Sequence, residues 1–174
     1  MPRVPMITER DGLATEHHAA FDAIATSRGA VRGPFAALMN APALAERVAH
    51  VGTYVRYQSS LPADLRELAI IAVASELDCA FEMVAHHTAA AEVGVPETTI
   101  TQVEAQAPLT EMEAGVACVV AYARELRRNN RVSQATFDAA LGRFGVVGVT
   151  ELTATLGYYA MIASVLNAFE VLPS

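Results

Sequence analysis

Residues 66–94, RELAIIAVASELDCAFEMVAHHTAAAEVG, constrain the fold more tightly than any other stretch of this chain. An uninterrupted apolar run over residues 68–74 follows Arg66-Glu67, and Asp78 then separates it from a second segment carrying Cys79, Glu82, His86 and His87. An α-helix turns about 100° per residue, so positions i, i+3 and i+7 fall within roughly 60° of arc. Cys79, Glu82 and His86 have that spacing, with Met83, Ala90 and Val93 on the same face. Phe81, Val84, Thr88 and Ala91 lie opposite, so the second helix is apolar nearly all round and is expected to be buried. A thiol, a carboxyl and an imidazole on one side of a buried helix are costly to desolvate and need partners or a purpose. Asp78 is read as the N-cap and Gly94 as the residue that ends the helix. Cys79 would then lie in the first turn, where the helix dipole favours a thiolate and the Asp78 charge opposes it.

The rest of the chain offers no strand-like alternation and no glycine-rich phosphate loop. Helical spacing predicts a segment over residues 15–27, with Phe21 and Ile24 inward and His17 and His18 as exposed residues of its first turn. Asn40 is expected to cap a helix with Pro42 in its first turn and a stripe of Leu44, Val48, Val51 and Val55. Ser60 and Pro62 start the helix that carries Glu67, and a short helix follows around residues 98–105. Thr110 and Glu113 read as a capping box for a helix to about Arg128, in which Cys118 is a structural thiol. Ser133 caps a helix to Phe144, Gly145 and Gly148 turn the chain, and Thr150 caps the last helix. Seven or eight helices with short connections predict an all-α fold, a single domain over residues 13–174 preceded by an arm over residues 1–12 that frays or lies on a neighbour.

Composition narrows the function classes. A net charge of −7 with no basic run argues against nucleic acid. The two longest apolar runs, residues 68–74 and 115–121, fall far below the roughly 20 residues of a membrane span, so no membrane partner is expected. No signal peptide is visible, and two cysteines forty residues apart form no disulfide framework, which together predict a cytoplasmic protein with reduced thiols. A hydrophobic content of 53% and a mean hydropathy of +0.30 leave apolar surface that homo-oligomerisation would bury.

At Arg66-Glu67-Leu68, Cys79-Ala80-Phe81-Glu82, His86 and Ala90…Gly94-Val95 the chain resembles the carboxymuconolactone decarboxylase-like family, which also contains the alkylhydroperoxidase D-type proteins. The likeness extends from Arg32-Gly33-Pro34-Phe35 through Leu109-Thr110-Glu111 to Phe144-Gly145, Glu151-Leu152 and Asn167-Ala168-Phe169, about residues 20–170. It implies an all-α fold with a central antiparallel helix pair, assembled as a trimer or hexamer. In the peroxidase branch a C-x-x-C motif and a histidine work with an upstream glutamate. Glu67, Cys79 and His86 match three of those positions, while Glu82 stands where the second cysteine would be, as in the decarboxylase branch.

The expected activity is therefore acid–base chemistry on a lactone or other carbonyl acid. Such a decarboxylation needs a poorly solvated pocket for the carboxylate, a sink for negative charge and a proton for carbon. Candidate catalytic residues are Glu67, Cys79, Glu82 and His86, with Glu67 and His86 moving the proton and Glu82 either orienting His86 or acting as a neutral acid. Arg32, Arg66 and His87 are the candidates for holding the substrate. A thiol-dependent peroxidase using Cys79 and a non-catalytic oligomeric scaffold are the alternatives. A metal centre from Cys79, Glu82, His86 and Glu67 fits no standard ligand spacing, and neither metal nor cofactor is expected.

Overall fold

The computed structural model describes residues 1–173, and among them the secondary structure is entirely helical. The eight α-helices are α1 (His18–Arg28), α2 (Pro34–Leu38), α3 (Pro42–Tyr57), α4 (Ala63–Glu76), α5 (Ala80–Glu92), α6 (Glu97–Glu104), α7 (Ala114–Asn129) and α8 (Gln134–Ala168). Short 3-10 turns lie before α1 and α7. The chain groups into two compact units, residues 1–58 with the segment from Ser164 onward, and residues 59–163.

The first unit is built on α1, α2 and α3. Ala20, Phe21 and Ile24 face inward from α1, all five residues of α2 are buried, and α3 turns Ala45, Val48, Ala49, Gly52 and Val55 inward. Arg28 joins the three helices: its guanidinium lies 4.1 Å from the Phe35 ring centroid, and its Nη2 donates to the Ala49 carbonyl at 3.0 Å. Two expectations fail here. Leu44 and Val51 are half exposed rather than part of the inward stripe. Asn40 does not cap α3, because its amide donates instead to the Pro5 and Ala37 carbonyls, each at 2.8 Å. The N-terminal stretch, expected to fray or lie on a neighbour, is tied within its own unit. The Arg3 amide donates to the Phe169 carbonyl at 2.8 Å, the Ile7 amide to Ala36 at 3.0 Å, and Arg3 pairs with Glu170.

The second unit is organised around α4, which packs against α5, α6 and α7. Residues Leu68 to Ala74 are all buried, as their composition demands. Leu77, Asp78 and Cys79 reverse the chain into α5, giving the central antiparallel pair. Asp78 does not cap α5; it takes a left-handed conformation (φ 49°), and Cys79 itself is the N-cap. An aspartate tolerates that conformation better than most residues, and the turn closes with the Cys79 amide donating to the Ala74 carbonyl at 2.9 Å. The outer face of α5 is not covered: Val84 and Val93 are about half exposed, contrary to the expected all-round burial.

Thr110 and Glu113 form no capping box. Residues Leu109–Glu111 make a 3-10 turn, and α7 begins at Ala114 with no side-chain cap. Ser133 does cap α8, its Oγ accepting from the Thr136 amide at 3.3 Å. The two final helices expected from sequence follow one another within α8 across a kink at Gly145 (φ 67°, ψ −178°); Thr150 does not cap the second, its hydroxyl donating instead to the Val146 carbonyl. Helix α8 is long and apolar enough to cross a membrane by length and composition, yet more than half of its most apolar window is buried inside the protein.

Candidate active site

The site grows from the α4–α5 pair. Glu67 lies at the start of the apolar run of α4, and Glu82 and His86 sit one turn apart on α5. All three are almost fully buried, at 3%, 5% and 2% exposure. They meet: His86 Nδ1 donates to Glu67 Oε2 at 2.6 Å, and His86 Nε2 lies 3.1 Å from Glu82 Oε2. Arg66 extends the chain, its Nη2 lying 3.5 Å from Glu67 Oε1, while its buried Nε has no hydrogen-bond partner. Charges thus alternate along Arg66, Glu67, His86 and Glu82, the arrangement that lets buried ions persist.

Burial opposes a charge on His86, but the hydrogen bonds from Glu67 and Glu82 outweigh it and hold the imidazole pKa above its ordinary value. A carboxylate at each ring nitrogen favours the imidazolium, the form in which both nitrogens donate. The third wall comes from α8. The Tyr159 ring stands at 87° to the His86 ring with centroids 4.8 Å apart, and Tyr158 in turn meets Tyr159 edge-on at 5.2 Å. Sequence reasoning missed this contact, because Tyr159 is one of many inward apolar positions on α8.

Cys79 is fully buried beside Glu82. Its burial, the Glu82 carboxylate and the Asp78 charge push the thiol pKa up, although the Glu82 and Phe81 amides donate to the sulfur and pull the other way. The neutral thiol is the stable form. Both cysteines are free, and Cys118 is half-buried in α7, where burial also raises its pKa.

The remaining candidates lie elsewhere. His87 turns away from His86 toward α6, its Nδ1 2.8 Å from Glu104 and its Nε2 3.2 Å from Glu97. It borders an open cavity of about 590 Å³ between α5 and α6, lined also by Ala80, Met83, Val84 and Ala105. Arg32 belongs to the first unit, exposed on the loop before α2. Among the described residues no group of three or more His, Cys, Asp or Glu side chains has metal-binding geometry.

A buried Glu–His–Glu cluster thus sits on an antiparallel helix pair in an all-α scaffold. Residues 42–125, a little under half of the chain, match the family model of the carboxymuconolactone decarboxylase family. The fold is that of the alkylhydroperoxidase D core, as two solved structures of uncharacterized peroxidase-related proteins show. One, from Ralstonia eutropha, superposes with a TM-score of 0.79 at 17% identity, over 99% of this chain and 92% of that one. The other, from Silicibacter sp., gives 0.78 at 18% identity over 99% and 94%. A debrominase solved with 2,3,4-tribromopyrrole shares the fold with a TM-score of 0.70 at 13% identity, over 98% and 92%. No curated protein matches the chain significantly.

Proposed function

We propose that this protein is a small-molecule enzyme of decarboxylase type, doing acid–base chemistry on a lactone or other carbonyl acid. The observation that carries the reading is His86 held at both nitrogens by Glu67 and Glu82 in a dry site. An imidazolium so placed is a proton donor, and the two carboxylates set its orientation; the proton that it gives up leaves in the product and is replaced by one from solvent. In a decarboxylation the C–C bond to the carboxylate breaks and its electron pair passes to the adjacent carbon, with charge spread onto the ring carbonyl. A proton from His86 then quenches that carbon, and CO₂ leaves. Low solvation favours loss of charge from the substrate carboxylate, and the Arg66 guanidinium with its unfilled Nε is the group on hand to hold that carboxylate. The reading includes a homo-oligomer in the cytoplasm, with no cofactor.

A thiol-dependent peroxidase is the second reading, favoured by the Phe81 and Glu82 amides that donate to the Cys79 sulfur. Against it stand the raised thiol pKa and Glu82 at the place of a second cysteine. The two separate in one experiment. Wild type, Cys79→Ser, His86→Ala and Glu67→Gln are assayed on a panel of lactone carboxylic acids and on organic hydroperoxides with a dithiol reductant. Lactone turnover is expected to survive Cys79→Ser and to fall by roughly a hundredfold or more in the other two variants, the usual scale for a positioned acid or base. Hydroperoxide turnover that disappears with Cys79→Ser would establish the peroxidase instead.

A further inference from the structure

His87 stands apart from the His86 cluster, on another face of α5, and is itself held at both ring nitrogens. Its Nδ1 donates to Glu104 Oε1 at 2.8 Å and its Nε2 to Glu97 Oε2 at 3.2 Å. Glu97 is the first residue of α6 and Glu104 the last, so one ring ties both ends of that helix to α5. An imidazole donates from both nitrogens only while it is charged; once neutral it keeps a single N–H. We propose that His87 is a pH-sensitive latch between α5 and α6: as an imidazolium it holds both carboxylates, and on losing its Nε2 proton it keeps Glu104 and releases Glu97, freeing the first turn of α6 beside the cavity.

Three observations single out Glu97 as the group released. Its bond is the longer one, and its side chain is 68% exposed against 26% for Glu104, so water replaces the lost donor more readily at Glu97. The two ends of α6 also differ electrostatically. The helix dipole favours a carboxylate at the first residue and opposes one at the last, so Glu104 gains more from a retained N–H. The far end of α6 is fastened independently: Ser75 Oγ donates to the Glu104 carbonyl at 2.9 Å, and Arg124 Nη1 to the Ala107 carbonyl at 2.8 Å. The charged groups that face His87 are these two glutamates from α6. On α5, Glu82 and Glu92 each lie five residues away, about 140° around the helix. On α4, Arg66 and Glu67 belong to the His86 cluster and Glu76 pairs with Arg128. The hydrogen bond to Glu104, opposed by slight desolvation and aided by both carboxylate charges, holds the His87 pKa above its ordinary value. The latch is therefore closed at both ends below the ordinary value and opens as pH rises through the folded one. His87 and Glu104 stand in the wall of the 590 Å³ cavity, and Thr101 of that wall lies one turn after Glu97, so opening loosens the wall on the α6 side.

The test needs no substrate and does not depend on the role of His86. The ring nitrogens of His87 are followed by ¹⁵N NMR against pH in isotopically labelled protein and assigned by the loss of signals in His87→Gln, since the chain has five histidines. Above the midpoint Nε2 is expected to lose its proton and Nδ1 to keep it, the reverse of the tautomer that predominates for histidine in water. Glu104→Ala is expected to reverse that choice, leaving the proton on Nε2 and the link to Glu97 in place. Amide hydrogen exchange, corrected for its own pH dependence, reads the first turn of α6 through Thr99 and Ile100, whose amides donate to the Pro96 carbonyl. Their protection is expected to fall about two- to fivefold across the His87 titration, the scale of one exposed ion pair. In His87→Gln and in Glu97→Ala no such step is expected, and should either variant fail to fold, the other carries the comparison. A neutral His87 with its proton on Nε2 in the wild type overturns the latch. So does protection at Thr99 and Ile100 that stays level through the titration, or that falls equally in His87→Gln or Glu97→Ala.

Discussion

His86 carries a pH signature that belongs to the residue alone. Its pKa in the folded protein lies above the ordinary 6.5, because the hydrogen bonds from Glu67 and Glu82 outweigh burial. A group whose pKa is raised by folding stabilises the fold fully below its unfolded pKa, and that contribution is lost as pH rises through the folded value. The melting temperatures of wild type and His86→Gln are therefore expected to differ most near pH 6 and to converge as pH rises. A gap that widens with pH would show that the buried imidazole is neutral. At this scale the sequence was legible in part. The i, i+3, i+7 spacing placed Cys79, Glu82 and His86 on one helical face without any structure. Glu67 lies 19 residues upstream on another helix, and helical periodicity cannot connect the two; the family resemblance and the cost of burying each group alone did. His87, adjacent to His86, points about 100° away around α5 and meets Glu97 and Glu104 instead.

Among the elements, the helices were legible and their ends were not. Hydrophobic spacing is a property of many residues and survives local error, whereas a cap is one hydrogen bond that tertiary structure can outbid. Asn40 shows this: its amide serves the Pro5 and Ala37 carbonyls rather than α3. Asp78 shows it again, since the tight reversal into α5 needs a left-handed residue at that position and hands the N-cap to Cys79. The sharpest local demand is at Gly145, whose φ of 67° and ψ of −178° lie in a region essentially closed to other residues. Three residues on, a Cβ at Gly148 would come within 2.6 Å of the Phe144 Cβ, so both glycines are required to keep this part of α8. Gly145→Ala is expected to cost about 1–3 kcal/mol, with the melting temperature falling about 2–4 °C per kcal/mol for a chain of this size. An unchanged melting temperature in that variant would mean that α8 can straighten through the break.

For the whole molecule, the apolar surplus seen in composition takes a visible form. Leu44, Val51, Tyr54 and Tyr57 on α3, Val84 on α5 and Val93 at its C-terminal cap, and Val146, Val147 and Met161 on α8 are exposed to between 40% and 72%. Surface of that kind is normally covered by other subunits. Sedimentation at micromolar protein is expected to give a trimer or hexamer of the 18.5 kDa chain, and a monomeric mass would refute that expectation. The alternation of sign along Arg66, Glu67, His86 and Glu82 has a further consequence for any acid that enters. With the imidazole charged, those four groups sum to zero, and the neutral Cys79 thiol adds nothing. An incoming carboxylate breaks that neutrality in a place with little water to screen it, so it is expected to bring a proton with it, lodged on one of the carboxylates or on the acid itself. Calorimetric titrations in buffers of different ionisation enthalpy would read this as net proton uptake on binding, and the affinity for the acid would fall as the pH of the solution rises.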